Sequence, residues 1–340
     1  MNYTLVIPAA GRATRAMTFT GYGATPKPLV SVGGKTVFGL ILEEARQSGL
    51  HDLAIIVSDE QGTEVYRRYF DPFKDNPKGY EATKKKLPEA IIQLEKDRKM
   101  NVDFVFQDEP LGFGHAVGLV YPTIKDKANE GILIALGDDL ICGGPAGLSQ
   151  LIDVHKSVGG MVFMVEEVSR ERAKRFGVMQ VREPIDIGHT LARAVFSVEG
   201  VEEKPQEPKP NMIDGKPRYF AVAGRYLLEP EDLEFLHSQT PTKGKELDFT
   251  PLFRRAAEAG RLTAILPNGR FHTVGNALDV QKAGISFALQ SFQQLPDHEL
   301  VRHTLKELLE LGALRFQDGH IHLHEELAES LSWSSLLDED

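Results

Sequence analysis

The sequence predicts an α/β fold, a mostly parallel sheet flanked by helices. Two observations predict it. Through the first half of the chain, apolar runs without a polar face alternate with amphipathic stretches of helical period. Strands that are apolar on both faces are those buried between helix layers. The loops after several of these runs also carry glycines, cations and acids, the residue types that gather at the carboxyl ends of parallel strands.

Tyr3–Ile7 reads as the first buried strand and Thr36–Gln47 as an amphipathic helix. Leu53–Val57 (strand), Gln61–Tyr69 (helix), Val102–Phe106 (strand), Gly114–Tyr121 (helix) and Ile132–Leu136 (strand) follow, with a helix around Gly147–His155. Between Pro72 and Met100 the pattern turns charged and helix-forming, at Lys84–Lys86 and Gln93–Lys99. This reads as a helical insertion with a solvated face. The second half is richer in strands: Met161–Val168, Gly177–Val181, Ala194–Val198, Arg218–Leu227 and Leu262–Pro267. Helices are expected over Pro230–His237, Phe249–Ala259 and Ala277–Leu289. Pro205–Lys216, rich in Pro, Lys and Asn, reads as a mobile loop. Beyond residue 290 lies a small C-terminal appendix. It holds an amphipathic stretch, Glu299–Leu311, and a hairpin turning at Asp318–Gly319. The leucines of that stretch suit packing on the core or on a second copy of the chain, a homo-oligomer.

Composition narrows the partners. The chain has 340 residues, 41% apolar and 26% charged, ordinary globular values. A net charge of −10 argues against nucleic acid and against an anionic membrane, but leaves room for an anionic substrate in a locally positive pocket. The one cysteine, Cys142, allows no disulfide framework within the chain and reads as a small buried hydrophobe. No uninterrupted apolar run is long enough to span a bilayer, and the first strand starts too near Met1 for a signal peptide, so a cytoplasmic protein is expected.

Four constellations carry chemistry. The first strand breaks into a small-residue turn, Pro8-Ala9-Ala10-Gly11, followed by Arg12, Arg15 and Lys27. Such a turn brings backbone N–H groups close to whatever sits above it, and the cations point to polyphosphate. The loop has neither the G-x-G-x-x-G of dinucleotide folds nor the G-K-[ST] of P-loops. Next, Gln107 follows a strand, with Leu111–His115 close behind. An amide and an exposed backbone at Gly112 can offer donor and acceptor to a base. His115 reads as a residue at the start of a helix with no catalytic role. Third, Asp138 follows Ile132–Gly137, where a carboxylate is a natural Mg²⁺ ligand; Asp139 reads as a residue that holds the loop. The fourth is Glu203–Lys204–Pro205, together with Gly177 in Phe176–Gly177–Val178.

In this order the motifs resemble those of sugar-nucleotide pyrophosphorylases, nucleotidyltransferases that join a sugar 1-phosphate to a nucleoside triphosphate. The specific likeness is to the bacterial UTP–glucose-1-phosphate uridylyltransferase family. It is carried by Ile7–Arg15 and by EEARQSGLHDLAIIV, YFDPF, EPLGFGHAV, LGDDLI, EEKPQEPKPN, AVAGRYLLEPE and VGNALDVQKA, and runs from about residue 3 to residue 290. The resemblance implies a Rossmann-like domain over 1–290, with a nucleotide-binding half (about 1–145), a strand-rich sugar-binding half (about 146–290) and a helical insertion (about 72–101). The 291–340 appendix lies outside it. It implies UTP and a sugar 1-phosphate as substrates, UDP-glucose as the leading product and Mg²⁺ as cofactor. Thymidylyl or cytidylyl transfer to another sugar 1-phosphate, or a sugar-nucleotide-binding regulator with reduced turnover, are the alternatives.

By the same resemblance, Ala10 and Gly11 contact the nucleotide, and Arg15 and Lys27 hold the triphosphate and stabilise the pyrophosphate that leaves. Gln107 and Gly112 lie against the uracil edge, and Asp138 binds the metal. Gly177 and Glu203 contact the sugar, and Lys204 grips its phosphate. The nucleophile would be a phosphate monoester with a second pKa of about 6. The site then needs positioning and charge neutralisation more than a general base.

The chain departs from the family pattern at several places. Ala13 replaces the second glycine of the signature loop, and the stretch before Lys27 is longer by two residues, with Gly21 and Gly23 in it. Pro28 stands where the family has an acid. In Phe271–His272–Thr273–Val274–Gly275, Thr273 stands where the family has its second metal carboxylate. An active enzyme with a looser metal site is expected. His320, His322 and His324 alternate and would share one face of a strand, but one strand spaces them too evenly for tetrahedral zinc. They read as histidines in water.

Overall fold

The computed structural model describes residues 2–11, 20–21, 25–241, 246–292, 306–307, 309–310, 314–317 and 320–323. In chain order its elements begin with β1 (Tyr3–Pro8), a 3-10 turn (Lys27–Leu29), β2 (Ser31–Val32), β3 (Lys35–Thr36), α1 (Val37–Gln47), β4 (Asp52–Val57) and α2 (Glu60–Phe70). Next come α3 (Pro77–Lys86), α4 (Pro88–Asp97), β5 (Asn101–Phe106), α5 (Phe113–Gly118), α6 (Tyr121–Ile124), β6 (Gly131–Ala135) and β7 (Asp139–Cys142). The second half holds α7 (Gly147–Val158), β8 (Met161–Val168), α8 (Arg170–Ala173), β9 (Gly177–Pro184), β10 (Ala194–Glu203), β11 (Asn211–Ile213) and β12 (Lys216–Leu228). It continues with α9 (Pro230–Ser238), α10 (Thr250–Glu258), β13 (Leu262–Leu266), β14 (Arg270–Thr273) and α11 (Ala277–Phe292), before a hairpin of β15 (Leu314–Gln317) and β16 (His320–Leu323).

One sheet carries both halves, in the order β5-β4-β1-β6-β12-β8-β13-β10-β9. The first four strands are parallel, with Leu5 of β1 opposite Leu53 of β4 and Leu133 of β6. From β1 the chain builds outward to β4 and β5, then returns to lay β6 on the other side of β1. Strand order reverses there, which opens a ligand crevice at the carboxyl ends. Side chains alternate across this layer. Leu5 and Ile7 pack with Phe38, Ile41 and Leu42 of α1 on one face; Val6 packs with Val117 and Val120 on the other. Local chemistry starts the helices: Thr36 Oγ1 accepts from Gly39 N at 3.0 Å, and Asp59 Oδ1 accepts from Gly62 N at 2.7 Å.

Beyond β6 the sheet is mixed. β12 is antiparallel to β6 and β8, β8 is parallel to β13, and β10 is antiparallel to β13 and β9. The mostly parallel character thus belongs to the first half. β9 returns to β10 through a stretch without a helix, and a parallel return needs a crossover of about a dozen residues or more.

Pro205–Lys216 is a correction to the expected mobile loop. β11 lies within it and pairs with β12. Asn211 is buried; its Oδ1 accepts from Val181 N at 2.7 Å and its Nδ2 donates to Met179 O at 3.0 Å. A side-chain amide that replaces missing ladder bonds orders a segment whose composition reads as loop. Among the described residues, no helix is long and apolar enough to cross a membrane.

Candidate active site

The ends of β1, β6 and β5 build the site along the carboxyl edge of the parallel layer, and the start of β9 with the end of β10 adds a second group from the mixed half. β1 ends at Pro8, with Ala9 N donating to Ile56 O at 2.8 Å, and Ala10 and Gly11 follow at the surface. Arg15, and with it Arg12 and Ala13, lies outside the described residues. Lys27 opens the 3-10 turn, whose Pro28 is buried against Gly137. A Cβ added at Gly137 would lie 2.7 Å from Pro28 Cγ, so glycine there lets the turn approach the end of β6. The approach seats Lys27 Nζ 2.5 Å from Asp138 Oδ2. The position that the family gives to an acid is here a packing residue that sets this contact.

Asp138 and Asp139 differ in role. Asp138 keeps a partly exposed carboxylate, 32% accessible, whereas Asp139 is buried. Burial pushes the Asp139 carboxyl well above the usual range, and the neighbouring Asp138 charge pushes it further; Arg225 and a hydrogen bond from Thr273 pull it back. β7 and β14 form a two-stranded ribbon that places Thr273 opposite Asp139, and Val274 N donates to Asp138 O at 2.7 Å. The Thr273 departure therefore stands directly against the acid pair.

Beneath this pair runs an ion network that reading the sequence missed. Arg225 of β12 is fully buried. Its Nη2 donates to Glu44 Oε2 at 2.8 Å and to Asp139 O at 2.9 Å, and its Nη1 donates to Gly224 O at 3.1 Å. Glu44, on α1, also accepts from Leu148 N at 2.9 Å. The available signal was an arginine inside the apolar alternation of β12. β12 shifts register against β8 between Val222 and Tyr226, a bulge beside the site. The bulge includes Gly224, where a Cβ would lie 2.2 Å from Asp139 Oδ2.

The same strand ties in the second group. Gly177 faces Glu203 across the β9–β10 pair, and a Cβ on Gly177 would lie 2.9 Å from Glu203 Oε2 and 3.4 Å from Val222 Cγ2. Val222 and Gly224 are two residues apart on β12, about 7 Å along a strand. Asp138–Asp139 and Gly177–Glu203 therefore flank one short length of β12. Burial raises the Tyr226 hydroxyl pKa, with smaller contributions from the charges of Asp139, Glu203 and Asp138. Lys204 Nζ lies 2.8 Å from Glu203 Oε1, and Lys204 N donates to Phe176 O at 3.0 Å. Lys204 adopts φ of 47°, a left-handed backbone that costs a non-glycine residue energy and gathers at functional sites.

Gln107 closes the far end, after β5. Its Nε2 donates to Gly112 O at 3.3 Å and lies 3.4 Å from His115 Nδ1. Gly112 has φ of 111°, and a Cβ there would lie 2.4 Å from Leu247 O. Its glycine is thus demanded by the 246–248 segment, which also accepts from Gly114 N through Leu247 O at 2.8 Å.

A crevice at the strand-order reversal, with a lysine–aspartate pair at its centre, defines an α/β nucleotide-binding protein. The chain belongs to the Nucleotidyl transferase family, which residues 5–283 match. It is 28% identical to the UTP–glucose-1-phosphate uridylyltransferase of Staphylococcus epidermidis over 296 residues, 86% of this chain and 94% of the relative. It is 28% identical to the enzyme of the same description from Bacillus subtilis over 286 residues, 84% of this chain and 90% of the relative. Among solved structures, a UDP-glucose pyrophosphorylase complexed with UDP-glucose superposes with a TM-score of 0.66 at 25% identity, covering 84% of this chain and 98% of that one.

Proposed function

We propose that this chain is a nucleotidyltransferase that makes UDP-glucose and pyrophosphate from UTP and glucose 1-phosphate. The observation that carries the reading is the joining, on one sheet edge, of Gln107, Lys27–Asp138 and Gly177–Glu203–Lys204. Adjacent strands are about 4.8 Å apart, so base, phosphates and sugar each meet a different strand end. The family membership and the two uridylyltransferase relatives support it.

In this reading residues 1–145 hold the nucleotide and 146–290 the sugar. A phosphate oxygen of glucose 1-phosphate attacks the α-phosphorus of UTP, the bond from that phosphorus to the bridging oxygen breaks, and pyrophosphate leaves. Lys27 and Arg15 hold the triphosphate and neutralise charge on the leaving group. Ala10 and Gly11 offer backbone to the nucleotide. Gln107 and Gly112 meet the base, Gly177 and Glu203 the glucose, and Lys204 the sugar phosphate.

The residues present fit Mg²⁺. Asp138 holds a cationic nitrogen at 2.5 Å, beside a second carboxyl whose charge burial disfavours. Among the described residues no group of three or more His, Cys, Asp or Glu could hold a metal. Mg²⁺ is commonly held by one or two carboxylates plus substrate phosphates. Asp138 would hold Mg²⁺, which supplies charge neutralisation on the phosphate oxygens. A cytoplasmic location completes the proposal.

The test is pyrophosphate release from UTP, dTTP, CTP and ATP, each with glucose 1-phosphate, with and without Mg²⁺. UTP with Mg²⁺ is expected to be fastest. No release from any pair at high Mg²⁺ would sink the reading.

A further inference from the structure

We propose that His115 is a positioning residue that takes up the second N–H of the Gln107 amide, leaving only its acceptor end to face the base, and so makes the site select a pyrimidine with a ring N–H. The inference rests on the nucleotide reading above and deepens it.

Gly112 O can only accept, so the Gln107 atom 3.3 Å from it must be the nitrogen. That nitrogen has two hydrogens. The second is within reach of His115 Nδ1, 3.4 Å away. Nδ1 accepts only when the ring is neutral with its proton on Nε2. Burial favours the neutral ring, lowering the His115 pKa against an opposing contribution from Glu109. With both N–H groups engaged within the loop, Oε1 is the amide function left for a ligand, and it is an acceptor only. A uracil or thymine ring presents N3–H to it. Cytosine in the same pose presents an unprotonated N3, which sets acceptor against acceptor, and its N4–H₂ donor reaches Oε1 only if the ring shifts along its edge.

The rest of the loop is built to hold this arrangement. Gly112 O also accepts from Ala116 N at 3.1 Å, which pins it at the start of α5, the helix that carries His115. Gln107 N donates to Val57 O at 2.9 Å, which pins the other end to the sheet. Removing His115 leaves one Nε2 hydrogen unspent and the amide held by Gly112 O alone.

The test measures kcat/KM for UTP, CTP and N3-methyl-UTP with glucose 1-phosphate, in the wild type and in His115→Phe. The wild type is expected to favour UTP over both analogues. In His115→Phe both preferences are expected to shrink by about tenfold, the scale of one hydrogen bond, with the KM for glucose 1-phosphate unchanged. A fall by the same factor for all three nucleotides, or no change, overturns the proposal, because a merely structural residue does not alter a ratio. His115→Ala, which adds no bulk, gives the same reading if His115→Phe does not fold. Should the wild type release no pyrophosphate, the enzyme reading fails separately. Calorimetric binding of UTP and CTP to the wild type and His115→Ala then reads the same discrimination.

Discussion

At the scale of single residues, the site turns on which groups compensate the Asp138–Asp139 pair. Lys27 is the cation in contact, at 2.5 Å from Asp138. If it also holds the phosphates, Lys27→Met should lower kcat by about 10²–10³, the usual cost of one charge-stabilising donor. The KM for glucose 1-phosphate should change little, and steady-state kinetics with each substrate varied would separate the two. Thr273 is the more unusual residue. Its hydroxyl donates to the buried Asp139 carboxyl, and it sits in register with Asp139 on the β7–β14 ribbon. Thr273→Asp would set a third carboxyl against two and demand a cation. The half-saturating Mg²⁺ concentration is then expected to fall by roughly tenfold, equivalent to about 1.4 kcal/mol. The variant should melt lower than the wild type without Mg²⁺ and recover with it. A melting temperature indifferent to Mg²⁺ would show that position 273 does not face the ion.

At the scale of elements, β12 joins the nucleotide side to the sugar side, and Arg225 ties it to α1 and to the start of β7. Arg225→Met strands the Glu44 carboxylate in the core, an arrangement that costs about 3–5 kcal/mol. Glu44→Leu combined with Arg225→Met should recover most of that stability, because no unpaired charge remains. It should not recover activity, since the Asp139 carbonyl still lacks its donor. Urea midpoints for the two single variants and the double variant test both halves of the expectation. At the outer edge of the same strand, Arg218 hydrogen-bonds Glu167 on β8 at 2.6 Å through Nε. The bond holds the Glu167 carboxyl below the usual range. A depressed acid stabilises the fold above its unfolded pKa, and that contribution is lost as pH falls through the folded value. The stability gap between the wild type and Arg218→Met should therefore be full near neutrality and close below about pH 4. Both side chains are partly exposed, so the gap stays below about 1 kcal/mol.

At the scale of the whole molecule, the parallel half was legible because its strands are apolar on both faces and each ends in a loop of distinctive chemistry. The order of the motifs grouped Asp138, Gln107 and Glu203–Lys204 into the one site proposed above. Strand direction in the second half was not legible, since an apolar run such as Met161–Val168 reads the same in a parallel or an antiparallel pair. Nor was the Arg225–Glu44 pair, whose members lie 181 residues apart and meet only once α1 docks on the sheet. Pro28 and Thr273 were visible as departures. That one packs on Gly137 and the other bonds Asp139 needed the three-dimensional contacts.

If the two proposed substrate ends sit on separate strand pairs joined through β12, occupancy of each should be separable in the stability of the entire chain. A ligand that binds only the folded state adds about 2.7 kcal/mol at one hundred times its Kd. UDP should engage the ends of β5, β1 and β6, whereas UDP-glucose should also engage Gly177 and Glu203. At equal concentration UDP-glucose is then expected to raise the melting temperature more than UDP does. Glu203→Gln should remove much of that excess and leave the UDP shift intact, because Glu203 lies beyond the nucleotide. Thermal melts of the wild type and Glu203→Gln with each ligand decide it. Equal losses for UDP and UDP-glucose would mean that the strand pairs form a single undivided subsite, and that the β9–β10 edge supports the nucleotide as much as the sugar.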